Sequence, residues 1–247
     1  MTGRVTGGTG GAGAGRPAAA AAFFDLDETL IRTKSMLGYL DFHWAAEGAP
    51  PERFRRARQE LLGRAAAGVP REELNRAYYR HFRGCSPQRL EETGRAWFRR
   101  ELARGGLFHP PAVAALRRHR LAGDTTVLVS GSFAPCAGPV AAALSVDRVL
   151  CTVPEVVDGV LTGEVSTPVI GEEKAVRARA LMRSLAADPQ DCHAYGDHAS
   201  DLPLLRAVGR PVVVGDDPVL HEHARRAGWQ LLPGVRERQP GAPATAR

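Results

Sequence analysis

Lysine is almost missing from this chain: of its 33 basic residues only Lys34 and Lys174 are lysines. Cysteine is scarce as well. Cys85, Cys136, Cys151 and Cys192 lie far apart with no C-x-x-C pair, which argues against a disulfide frame or a zinc site and for reduced thiols in a cytoplasmic protein. No run of 18 or more apolar residues occurs, so no membrane-spanning helix is expected. The first 15 residues are rich in glycine, with one arginine and no apolar stretch. That composition does not fit a secretory signal. Nor do these glycines follow a strand signal or lead into G-K-[ST], so residues 1–17 are expected to be a disordered leader rather than a phosphate loop.

What is present is ordinary for a globular protein, 44% hydrophobic and 24% charged. A chain of 247 residues can hold one α/β domain with an inserted subdomain. The net charge of +6 is concentrated in one segment, where residues 34–104 carry 15 Lys/Arg against 9 Asp/Glu. Such a surface attracts anions, or is simply a solvated helix face. Its bases alternate with acids and no nucleic-acid motif is seen, so a nucleic-acid partner is not expected.

Residues 18–24 form a short apolar run that ends abruptly in acids, the mark of a buried strand. About four helices are expected over residues 35–106, punctuated by Gly-Val-Pro at 68–70 and Cys-Ser-Pro at 85–87. Nine of the chain's 15 aromatics fall in that segment and are expected to form its own small core. Beyond it strand and helix alternate: strands over 125–129, 148–152, 193–195 and 211–214, and helices over 111–121, 136–144, 172–187, 202–208 and 218–227. A hairpin is expected to turn at Asp158-Gly159. Alternation of this kind calls for a parallel sheet covered on both faces, with ligands beyond the carboxyl ends of the strands. The Pro-, Gly- and Arg-rich residues 235–247 are expected to be a loose tail.

The polar residues that break each apolar run are therefore the candidates for chemistry. Asp25 and Asp27 lie two apart at the first strand end, where their repulsion is costly unless a cation holds them. Ser130-Gly131-Ser132 follows the second strand, and a hydroxyl beside glycine lets backbone N–H groups approach an anion. Lys174 opens a helix after Gly171, a compact point charge suited to a phosphoryl oxygen. Asp197 and Asp201, four apart after Tyr195-Gly196, can ligate a metal and organise its surroundings. Each signal also has a plain structural reading: a solvated turn, a Ser-Gly turn, a surface lysine, an acid favouring a helix start. His221 and His223 flank Glu222 without metal-ligand spacing and are expected to be surface residues.

Taken in order, D-x-D-x-T, S-G, Lys and G-D-x-x-x-D resemble the haloacid dehalogenase superfamily, and most of all its subfamily IB of phosphoserine-phosphatase-like hydrolases. The resemblance spans residues 20–232. It implies a Rossmann-like doubly wound parallel sheet, with a core of residues 18–34 and 107–234 and a helical cap of residues 35–106 inserted after the first strand. It implies a magnesium-dependent phosphatase in which Asp25 attacks phosphorus and Asp27 serves as acid and then base. Mg²⁺ would be held by Asp25, the backbone carbonyl of Asp27, and Asp197. Ser130, Gly131 and Lys174 would hold the phosphoryl oxygens, and Asp201 would steady the metal shell. Asp27 argues against the dehalogenase branch, which needs no leaving-group acid.

Three departures bear on the substrate. Where phosphoserine phosphatases carry a glutamate nine residues after the nucleophile, this chain has Lys34; Ser132 replaces their second glycine, and Ser200 an asparagine. Phosphoserine is therefore not the expected main substrate. Arg32, Lys34, the cap arginines and His198 are candidates to meet another small phosphomonoester, a sugar, cyclitol or other metabolite phosphate. The oligomer is expected to be a monomer or homodimer. A phosphotransferase using the same intermediate, a silent binding module of the same fold, and a D-x-D glycosyltransferase stay open as alternatives.

Overall fold

The computed structural model describes residues 20–235. The leader expected over 1–17 and, apart from Val235, the tail expected over 235–247 lie outside the described residues.

The chain enters as β1 (Ala21–Phe24), then runs through four helices, α1 (Ser35–Ala46), α2 (Pro51–Ala66), α3 (Arg71–Tyr79) and α4 (Pro87–Arg104). It then alternates: α5 (Pro110–Ala122), β2 (Thr125–Ser130), α6 (Ala134–Leu144) and β3 (Arg148–Cys151), followed by a small hairpin of β4 (Val156–Val157) and β5 (Val160–Leu161). The last part comprises α7 (Glu172–Ser184), β6 (His193–Gly196), α8 (Leu202–Leu205), β7 (Arg210–Val214), α9 (Pro218–Ala227) and β8 (Gln230–Leu232). Proline marks many of the helix starts, at Pro51, Pro87, Pro110 and Pro218, where its missing N–H costs nothing and its fixed φ suits the first turn.

Six strands form one parallel sheet in the order β3-β2-β1-β6-β7-β8. β1 is central, with Phe24 opposite both Leu128 and Tyr195, and all four of its residues are fully buried. Successive side chains take opposite faces of the sheet. Phe24, Leu128 and Tyr195 join the core beneath α1 and α4–α6, whereas Phe23, Val127 and Ala194 join the core under α7–α9. Neighbours of β1 lie on either side of a switch in strand order, and parallel pairing brings the ends of β1, β2 and β6 to one edge. That edge is where the strand-end acids and hydroxyls gather.

The structure corrects several element limits. β2 extends to Ser130 and β6 to Gly196, α7 ends at Ser184, and α8 holds only Leu202–Leu205. β8 was not anticipated; its three residues pair with β7 and give too short an apolar run to stand out. The aromatics of the insertion do not form a separate core. Tyr39, Tyr79 and Phe82 pack around Phe133 at ring distances of 5.3 to 5.4 Å, and Phe133 belongs to the turn after β2. At Gly94 of α4, an added Cβ would lie 2.0 Å from the Pro135 carbonyl oxygen, so only glycine lets α4 settle this closely on α6.

Candidate active site

Asp25 is the first residue past β1. Its N–H donates to the Tyr195 carbonyl at 3.0 Å, which extends the ladder by one residue and leaves the carboxylate at the sheet edge, 7% exposed. The chain then turns sharply, and Glu28 takes a left-handed φ of 59°. This turn lets Asp27 Oδ1 accept the N–H of Ser35 at 2.9 Å, where α1 begins, and lets Thr29 Oγ1 donate to Asp197 Oδ1 at 3.1 Å.

At the end of β2, Ser130 and Ser132 are both buried. Ser132 N–H donates to Ser130 Oγ at 3.0 Å, and Ser35 Oγ meets Ser132 Oγ at 3.2 Å. Two donors from α3 converge on a single acceptor here: Asn75 Nδ2 and Tyr79 OH reach the Gly131 carbonyl at 2.8 and 3.0 Å. The insertion therefore fixes the peptide plane of the hydroxyl loop.

Lys174 reaches inward from the first turn of α7 and is 4% exposed. Its ammonium donates to Asp25 Oδ1 and, at 2.7 Å, to Asp201 Oδ1. Asp201 comes this close only because position 196 is glycine; a Cβ there would lie 2.7 Å from Asp201 Cβ. Burial opposes the charge on Lys174, yet Asp201 and Asp25 together raise its pKa above the ordinary lysine value.

One oxygen from each of Asp25, Asp197 and Asp201 lies within 4.8 Å of the others. Burial foremost, then the neighbouring carboxylates, pushes Asp197 up to about 8. Asp25 is pushed up to about 7 by burial and by Asp201 and Asp27, against the pull of Lys174. Burial also raises Asp27, opposed by its bonds from Ser35. One ammonium does not balance this many acids in a desolvated place. The donor set is hard oxygen, short of positive charge, and fits a divalent cation of the magnesium type.

A cavity of about 440 Å³ opens over this group. Asp25, Asp27, Ser130, Gly131, Lys174, Asp197 and Asp201 line it together, so the sequence candidates from four separate stretches share one site. Lys34, His198 and Ser200 line it too. Lys34 is bound to Glu28 at 2.5 Å. His198 Nδ1 accepts the Ser200 N–H at 3.0 Å, which leaves its proton on Nε2, and burial and Arg71 lower its pKa. Arg32 is not brought to the cavity: its guanidinium donates to the Val235 carbonyl at 2.7 Å instead. Of the cap arginines, Arg71 alone lines the cavity. His221 bonds the Gly215 carbonyl and His223 stacks on Trp229, so neither joins the acidic cluster.

Sequence reasoning missed Asn75, Tyr78 and an apolar wall that includes Met36, Leu61 and Leu74. Asn75 left one usable trace, a polar residue buried beside Leu74, Tyr78 and Tyr79 on the inward face of α3. The wall left none, since its leucines read like any helix core.

A family model for haloacid dehalogenase-like hydrolases matches residues 22–206. The chain belongs to that family. The chain is similar to an "inhibition of morphological differentiation protein" of Streptomyces azureus, 32% identical over 86% of this chain and 77% of that one. It is 31% identical to a probable phosphatase of Mycobacterium tuberculosis, over 92% of this chain and 81% of the relative. A crystal structure of a Bordetella pertussis protein of unknown function superposes with a TM-score of 0.77 at 31% identity, covering 87% of this chain and 98% of that one. This member of the family is thus a hydrolase with phosphatases among its relatives, and its parallel six-stranded sheet flanked by helices is the family's α/β fold.

Proposed function

We propose that this hydrolase is a magnesium-dependent phosphatase that cleaves a small phosphomonoester through a phosphoryl group carried on Asp25. The observation that carries the reading is the convergence of Asp25, Asp27, Lys174, Asp197 and Asp201 on one cavity floor, with the Ser130 loop beside them.

A Mg²⁺ ion held by Asp25, Asp197 and the Asp27 carbonyl would neutralise charge on the phosphoryl oxygens. Lys174 Nζ holds Asp25 Oδ1, which orients the carboxylate so that an oxygen can attack phosphorus while the bond to the substrate's alcohol oxygen breaks. Asp27, raised by burial, gives its proton to the departing alkoxide. As a carboxylate it then takes a proton from water, whose oxygen displaces Asp25 and releases inorganic phosphate. Ser130 Oγ and the backbone N–H groups of its loop would hold the phosphoryl oxygens, and Lys174 would add positive charge there. Asp201 keeps Lys174 in place at 2.7 Å. Residues 35–106 would act as the cap that closes over the substrate.

Phosphoserine is a poor fit to this cavity. Glu28 lies on the lining outside the acidic floor, and Lys34 already occupies it, so the substrate's ammonium would find no open acid there. Purified protein should hydrolyse p-nitrophenyl phosphate with Mg²⁺ and lose that activity with EDTA or in Asp25→Asn. Full activity in Asp25→Asn would overturn the reading. Added alcohols should not divert the phosphoryl group; phosphorylated alcohol as the main product would show a phosphotransferase instead.

A further inference from the structure

One wall of the cavity is apolar, while the rest of the lining includes the polar residues Glu28, Lys34, Arg71, His198 and Ser200. Met36 comes from α1, Leu61 and Leu62 from α2, Leu74 from α3, and Ile170 from the turn before α7. α2 is unusual in that only Ala57 among its 16 residues is fully buried. Leu61 packs against the edge of the main core, whereas Leu62 is 46% exposed while lining the cavity. Two of the wall's donors are already engaged, Asn75 Nδ2 with the Gly131 carbonyl at 2.8 Å and Tyr78 OH with the Met36 carbonyl at 2.8 Å, and Asn75 Oδ1 is the buried acceptor that they leave without a partner.

From this wall we infer that the alcohol part of the natural substrate is an apolar body, alkyl or aryl with few hydroxyls, rather than a sugar, cyclitol or amino acid. The inference rests on the phosphatase reading, because that reading seats the phosphate at the floor and so fixes one end of whatever fills the cavity. The other end must then lie along the leucines of α2 and α3. Asn75, Glu28 and Ser200 on the lining can accept a hydroxyl, but a hydroxyl-rich body would lay most of its donors against Met36, Leu61, Leu62, Leu74 and Ile170, which cannot, and each such group would lose its bonds to water. An apolar body loses nothing there and removes exposed leucine surface from water. This replaces the expectation of a sugar or cyclitol phosphate that basic residues in the insertion had suggested. Of those bases, Lys34 is paired with Glu28, Arg32 lies off the cavity, and Arg71 is the one arginine on the lining.

The test is kcat/KM of the full-length protein with Mg²⁺ on ethyl, butyl and hexyl phosphate, beside glycerol 3-phosphate, glucose 6-phosphate and phosphoserine. Each added methylene should raise kcat/KM about fourfold, the equivalent of ~0.8 kcal/mol, so hexyl phosphate should exceed ethyl phosphate by roughly 200-fold. Leu62→Asn should lower the hexyl-to-ethyl ratio severalfold. A flat alkyl series, or faster turnover of any of the three polar substrates than of hexyl phosphate, would overturn the inference while leaving the phosphatase reading intact. No turnover of any phosphomonoester, p-nitrophenyl phosphate included, would remove that reading and the inference with it.

Discussion

Replacing Asp197 with asparagine removes one of three clustered carboxylates while keeping its shape and its capacity to accept from Thr29. In metal-free protein, burial and the acids Asp25 and Asp201 raise Asp197 from 3.8 to about 8. A carboxyl raised in this way binds more protons folded than unfolded, so its contribution to stability falls as pH climbs from 3.8 towards 8. At pH 7 the group is about three pH units above its unfolded value, a ceiling of roughly 4 kcal/mol at ~1.4 kcal/mol per unit. Asp197 is only partly buried, and screening by solvent brings the figure down to about 2 kcal/mol. In a protein of this size 1 kcal/mol moves Tm by about 2–4 °C. Asp197→Asn should therefore raise the metal-free Tm at pH 7 by about 4–8 °C, and the gain should vanish towards pH 4. Magnesium should reverse the order, because on the proposed ligation the wild type gains about 2.7 kcal/mol at a hundred times its Kd and the variant loses one of the proposed ligands. Thermal unfolding by differential scanning fluorimetry, with EDTA and across a Mg²⁺ series, reads both effects. A variant that melts below the wild type without metal, or gains as much from Mg²⁺, would refute the electrostatic reading of the cluster.

Gly196→Ala should place a methyl 2.7 Å from Asp201 Cβ and push that acid off Lys174. Overpacking of this kind costs about 1–3 kcal/mol, and the kcat loss should exceed what unfolding accounts for when kinetics and melting are compared. His193 is lowered from 6.5 to about 4 by burial and then by His119, whose ring lies 4.4 Å away, and Arg210. Its stabilising contribution is complete above pH 6.5 and is lost as pH falls from 6.5 towards 4, where the unfolded chain takes up the proton first. Urea unfolding of wild type and His193→Gln across that window should show a shallower pH slope in the variant.

The strand ends were legible because each apolar run is broken by a residue that strands do not ordinarily bury: Asp25, Ser130 and Asp197. Lys174 stood out only because arginine fills almost every other basic position. Helix α9 was readable to the residue, since Asp217 caps its first turn, Pro218 opens it and Gly228 stops it in a left-handed conformation. Contacts between distant segments left no such mark. Asn75 and Tyr79 meet the Gly131 carbonyl across more than 50 residues of chain, and no local pattern announces a shared acceptor. Phe133 draws the insertion's aromatics into the main core, a contact that composition alone assigned to the insertion. The direction of Arg32 was equally hidden. Its backbone N–H is held by the Leu107 carbonyl and Ile31 bridges Phe108, so the chain crossing there, rather than the residue's charge, decides where the side chain goes.

The covalent role proposed for Asp25 can be tested directly. Protein turning over a phosphomonoester with Mg²⁺ is quenched in acid, digested and mapped by mass spectrometry, with Asp27→Asn included to slow breakdown of the phosphoryl adduct. A hydroxylamine-labile phosphoryl group on Asp25, more abundant in Asp27→Asn, is the result this account predicts. The same group on any other side chain, or turnover that persists in Asp25→Asn with no adduct, would contradict it.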